Sequence, residues 1–134
     1  MKKPVLLFLL AVTSTAWSAA PRDLAEAYAA EASRQAPGFK ASPQRGAEFY
    51  AKRFAVSDKM PACSACHTDS PARPGQHAVT GKAIKPLAPR AEAARFSDPA
   101  KVEKWFRRNC TEVLGRECSA AEKADFVSFV AEGL

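Results

Sequence analysis

The sequence predicts an all-α domain. Apolar residues recur at helical spacing in two stretches of the C-terminal half. Three segments open with serine or aspartate followed by proline or a capping glutamate. No stretch alternates apolar and polar residues as a half-buried strand would.

The chain begins Met1-Lys2-Lys3, runs apolar from Val5 to Val12, and reaches Ala16-Trp17-Ser18-Ala19-Ala20-Pro21. A basic start, a short apolar centre and small residues at the end form the pattern of a secretory signal peptide, with cleavage expected after Ser18 or as late as Ala20. The apolar run falls short of the ~20 residues that cross a bilayer. The expectation is therefore an exported, periplasmic protein: residues 1–18 as signal, 22–40 as an accessory N-terminal helix, and 41–134 as one functional domain. Losing the first 18 residues removes two of 20 basic and none of 14 acidic residues, leaving a net charge of +4. That modest balance argues against a nucleic-acid partner.

Residues Arg22 to Gln35 are alanine-rich, place Leu24 and Tyr28 four apart, and stop at Pro37-Gly38. Ser42-Pro43 supplies a hydroxyl cap and a first-turn proline for a helix expected through Gly46, Phe49, Tyr50 and Phe54. Gly46, four residues before Tyr50, would let another helix backbone come close. Between residues 67 and 89, Pro71, Pro74, Gly75, Gly81, Pro86 and Pro89 break any periodicity, so a long loop is expected.

Ser97 or Asp98 caps the next helix and Pro99 opens it, with regular periodicity from Ala100 to Asn109. On a helical wheel Trp105, Phe106 and Asn109 fall within about 60° of Val102, while Lys101, Lys104, Arg107 and Arg108 fill the other side. Asn109 thus stands on an apolar face, although asparagine is also common at helix C-termini. The last helix opens with the capping box Ser119-Ala120-Ala121-Glu122 and carries Phe126, Phe129 and Val130 as its core stripe, expected to pack on the Gly46 helix.

The chemistry centres on Cys63-Ser64-Ala65-Cys66-His67. C-x-x-C-H is the signature of covalent haem attachment: the two sulfurs add to vinyl groups and the histidine ligates iron. After a signal peptide, and with no second cysteine–histidine cluster to complete a zinc site, one haem c is the expected cofactor. The fold expectation sharpens to a small class I-like cytochrome c domain whose long loops wrap one haem. Pro71 or Pro74 is positioned to offer a carbonyl to the second nitrogen of His67. Arg73, Gln76, Thr80, Lys82 and Arg90 are donors within reach of haem propionates. Cys110 and Cys118 remain, and in an oxidising compartment a disulfide between them is expected.

The residue on the other face of the iron decides between an electron carrier and a ligand-binding protein. Met1 lies in the signal and Met60 stands three residues before Cys63, so the usual methionine is missing. His77 would have to travel round the macrocycle edge. An empty position, Lys82 and Asn109 are the other choices.

Arg73, Gly75-Gln76, Thr80-Gly81-Lys82, Pro86-Leu87-Ala88-Pro89, Arg95-Phe96, Val102-Glu103-Lys104-Trp105, Arg108-Asn109-Cys110, Gly115-Arg116 and Cys118 together resemble the sphaeroides haem protein family of high-spin monohaem cytochromes c. The likeness runs from about Gly46 to Val130. It implies Asn109 as a sixth iron ligand that swings away when oxygen, nitric oxide or cyanide binds, with Cys110 and Cys118 bridged. It implies a soluble, monomeric protein reduced by a dihaem cytochrome c and a membrane cytochrome b. An oxygen- or nitric-oxide-dependent redox activity is compatible with it, and the alternative is a plain electron carrier with a closed six-coordinate haem. Val102, Trp105 and Phe106 would form a dry distal wall, with Asn109 as the residue on which reactivity turns. Lys101, Lys104, Arg107 and Arg108 form a candidate docking face for an acidic redox partner.

Overall fold

The computed structural model describes residues 20–132. The expected signal peptide lies outside the described residues. The element order is α1 (Pro21–Gln35), α2 (Pro43–Ala51), α3 (Ser64–His67), β1 (Gly75–Gln76), β2 (Ala83–Ile84), α4 (Pro99–Leu114) and α5 (Ala120–Glu132). The fold is mostly helical, as expected. Its one departure is a two-residue antiparallel ladder inside the long loop, pairing Gly75 with Ile84 and Gln76 with Ala83.

Local chemistry sets the helix ends. Ser42 caps α2 by accepting from the Arg45 N–H, and Asp98 caps α4 by accepting from the Lys101 N–H. In the α5 capping box the Glu122 carboxylate accepts from the Ser119 N–H at 2.8 Å, while the Ser119 hydroxyl accepts from the Glu122 N–H at 3.2 Å. α2 is shorter than its sequence pattern, because Lys52 is extended and Phe54 turns back to set its ring edge-on against Phe49. α4 is longer. It passes through Asn109 and Cys110 to Leu114, where Gly115 adopts φ +72° and closes it.

α1 and α2 both pack against α5. The α2–α5 crossing is a backbone contact: a Cβ added at Gly46 would lie 2.1 Å from the Asp125 carbonyl oxygen and 2.7 Å from the Phe129 Cβ. Beside it, the buried Asp125 carboxylate accepts from the Ser42 N–H at 2.7 Å and from Arg45 Nε and Nη2 at 2.8 and 2.9 Å. One carboxylate from α5 therefore serves both the cap residue and the first turn of α2, a charge-assisted set that locks the crossing in register.

The N-terminal helix shares this core through Leu24 and Ala25. Its Tyr28 ring meets Phe106 of α4 edge-on at 5.9 Å, and its hydroxyl donates to Glu103 at 2.6 Å. Lys123 of α5 donates to both Glu103 oxygens. Burial alone would raise the Glu103 carboxyl, but the Tyr28 and Lys123 donors hold it below its ordinary value. Three helices thus meet at one carboxylate. Among the described residues no helix is long and apolar enough to cross a membrane.

Gly46→Ala should destabilise the fold by more than about 3 kcal/mol, since the obstacle is backbone that cannot turn aside. Thermal unfolding of the purified protein should show a Tm lower by more than about 10 °C.

Candidate functional site

The motif Cys63–His67 sits on α3 and the turn before it, too short a helix to hold itself in place. Three contacts hold it. The Tyr50 hydroxyl donates to the carbonyls of His67 and Thr68, at 2.9 and 2.6 Å. Gly75 lies so close beneath the motif that an added Cβ would stand 2.0 Å from the Cys66 carbonyl oxygen. The Ala78 N–H donates to Cys66 Sγ at 3.3 Å. Thr68, immediately after the motif, is at φ +64°, a left-handed conformation that turns the chain sharply away.

Above the motif is a cavity of about 630 Å³. Cys63, Cys66 and His67 line it from one element, and Val102, Trp105, Phe106 and Asn109 line it from α4. Met60, Ile84, Leu87 and Phe96 make much of the remaining wall apolar. The structure therefore brings together the two thiols, the imidazole and the asparagine that the sequence singled out. The extent of α4 removes the helix-end explanation for Asn109, because five further helical residues follow it. Cys110 and Cys118 are joined as a disulfide, which ties the residue after Asn109 to the chain entering α5.

Lys82 and His77 also line the cavity. His77 Nδ1 accepts from the Val79 and Thr80 N–H groups, both at 3.2 Å, which spends that nitrogen on the hairpin turn. The same hairpin lies against Cys66, so His77 belongs to the motif side of the cavity. Gln76 Nε2 donates to the Gly81 carbonyl, and the Thr80 hydroxyl accepts from the Lys82 N–H. Arg73 is not among the cavity-lining residues, and its guanidinium pairs with Asp69. The Pro71 carbonyl accepts from Leu87 and Ala88, so it fastens the loop instead of meeting His67.

Two residues with a role here escaped the sequence reading. Tyr50 registered only as a core aromatic, because its partners are carbonyls 17 and 18 residues away. Arg95 lines the cavity while its Nε and Nη2 donate to the Pro86 and Lys85 carbonyls, both at 2.7 Å.

Electrostatics favour a neutral imidazole. Burial, and then the Arg95 guanidinium, push the His67 pKa down to about 4. Burial pushes the Cys63 thiol up to about 11. Both thiols are free. An uncharged ring nitrogen, two thiols and an apolar chamber in the usual size range of ligand pockets, roughly 300–1,000 Å³, suit a covalently held, iron-bearing aromatic macrocycle.

Comparison with known proteins bears on this fit. Residues 36–130 match the family model described as a domain of unknown function, DUF1924. The chain is 40% identical over 128 residues to the cytochrome c-type protein SHP of Cereibacter sphaeroides, covering 95% of each. It is 45% identical over 86 residues to cytochrome c'' of Methylophilus methylotrophus, where the match spans 63% of this chain and only 60% of that protein's length. The solved structure of oxidised SHP, described as an oxygen-binding cytochrome c, superposes with a TM-score of 0.77 at 39% identity, covering 84% of this chain and 96% of that one.

The His67 shift gives a testable pH dependence. Because the folded-state value lies below that of a free imidazole, the unfolded chain takes up the proton first as pH falls. The haem-free polypeptide should be most stable above about pH 6.5 and should lose stability progressively as pH drops from there towards 4. Urea unfolding of the wild type and His67→Gln across that window checks this: the variant should show the flatter profile.

Proposed function

The chain belongs to the DUF1924 family and to the SHP-type cytochromes c, and from that premise we propose that its single covalent haem c binds a diatomic ligand in place of Asn109. When bound, the haem supplies an iron that takes a small ligand and passes one electron at a time. Everything else falls to the protein. Cys63 and Cys66 would hold the macrocycle through thioether bonds, and His67 would bind the iron through a nitrogen kept free of a proton by its burial.

The observation that carries this reading is the position of Asn109. It is mid-helix, exposed beside the buried Val102, Phe106 and Cys110 of α4, and it lines the same cavity as the attachment motif. A neutral amide oxygen is a weak donor to ferric iron and yields to a stronger small ligand. Val102 and Phe106 are buried beside it, while Trp105 is 43% exposed, so the first two would limit water on the core side only. The Cys110–Cys118 link restrains the adjacent backbone, so displacement falls to the Asn109 side chain or a small local hinge. Once turned aside, the amide keeps two N–H donors at the cavity wall.

SHP is described as oxygen-binding, which supports oxygen, and by the same chemistry nitric oxide, as ligands. The protein would be exported to the periplasm and reduced by a dihaem cytochrome c fed from a membrane cytochrome b. The outer face of α4 is a less basic dock than its sequence implies. Arg108 pairs with Glu112 at 3.1 Å and Arg107 with Glu117 at 3.7 Å. The docking charge would then rest chiefly on Lys101 and Lys104.

Asn109→Ala should leave covalent haem content unchanged, alter the ferric spectrum, and speed cyanide or nitric oxide binding roughly tenfold, as removal of an internal competitor predicts. Stopped-flow mixing measures this. An unchanged ferric spectrum with unchanged rates would move the sixth ligand to His77 or Lys82 and make the protein a plain electron carrier.

A further inference from the structure

Of the two arginines in the loop between β2 and α4, Arg95 lines the cavity and Arg90 does not, and Arg95 is partly buried. Its Nε and Nη2 are committed to the Pro86 and Lys85 carbonyls. A guanidinium presents five N–H groups in a rigid fork, so the Nη1 edge, with two of them, has no protein acceptor among the described residues. The two carbonyl bonds fix where that edge stands.

The backbone beside it is unusual in the same sense. Phe96, buried and also lining the cavity, has φ +61°, a left-handed value that a bulky residue rarely adopts. Here Arg95 and Phe96 both face the cavity. A cation and a ring thus reach one cavity from adjacent positions of a turn.

The other cations that line the cavity are Lys82, Lys85, Lys101 and Arg108; Arg108 pairs with Glu112, and Lys101 is exposed on α4. Lys85 pairs with Glu92 at 2.9 Å, which cancels both at the cavity edge. Lys82 stands on a flexible stem in the exposed hairpin.

We infer that Arg95 is the positioning residue for the macrocycle: its Nη1 edge receives one haem carboxylate, and its charge on the cavity wall raises the reduction potential of the iron. This rests on the haem reading above. It assigns to Arg95 the role that the sequence pattern offered to Arg73, whose guanidinium is taken by Asp69.

The experiment is a spectroelectrochemical titration of purified wild type, Arg95→Gln and Arg95→Lys, each with haem content measured by the pyridine haemochrome assay. At a fixed ambient potential, Arg95→Gln should show a reduced-to-oxidised ratio at least threefold below wild type, about 28 mV for one electron at 59 mV per decade. Arg95→Lys, which keeps the charge and loses the fork, should recover most of that ratio. If both variants lose thermal stability while their ratios stay at the wild-type value, Arg95 only fastens the loop and the inference is overturned. Should neither variant accumulate with haem, resonance Raman spectroscopy of the wild type decides. A propionate bending mode at a hydrogen-bonded frequency supports the assignment, and one at the unbonded frequency overturns it. Wild-type protein without covalent haem would overturn the haem reading itself, a result visible before any variant is compared.

Discussion

At Gly46 the backbone of α2 touches the backbone of α5, with room for no side chain between them. One turn further along α2, Tyr50 lies against Phe126 and Phe129 of α5 and reaches with its hydroxyl to the carbonyls of His67 and Thr68. The haem motif is held only as firmly as that crossing. Widening it would move Tyr50, and the four-residue α3 has too few internal hydrogen bonds to keep His67 in place alone. Asp125, bound to both Ser42 and Arg45, keeps the crossing from sliding.

The second wall depends on α4. Tyr28 and Lys123 grip it through Glu103, Phe106 packs between Tyr28 and Phe126, and the disulfide ties Cys110 to the entry of α5. These anchors surround Asn109 without touching its amide. The arrangement combines a fixed helix with a neutral amide among the residues that line the cavity, and a displaceable ligand would need that combination: a backbone that stays still and a side chain that can rotate.

Much of this was legible in the sequence because it is local. Ser42, Asp98 and the Ser119–Glu122 box carry their instructions within four residues, and the α5 apolar stripe follows from helical period. The attachment motif is contiguous, and Gly46 signalled a close approach. What escaped was non-local. Arg95 acts on carbonyls nine and ten residues earlier. The β1–β2 ladder depends on Gly75 fitting under the Cys66 carbonyl. The end of α4 was misplaced because asparagine tolerates a helix terminus as well as an interior, and only Gly115 beyond it fixes the true stop. Arg73 reads as a cavity donor by position, yet its neighbour Asp69 claims it.

The central claim is that Asn109 occupies the iron and leaves it. Crystal structures of the ferric holoprotein, with and without cyanide, test it most directly. The account predicts Asn109 Oδ1 at bonding distance from the iron in the first, and rotated away with α4 unmoved in the second. His77 or Lys82 on the iron in the first structure, or an Asn109 amide that occupies the same place in both, would contradict it.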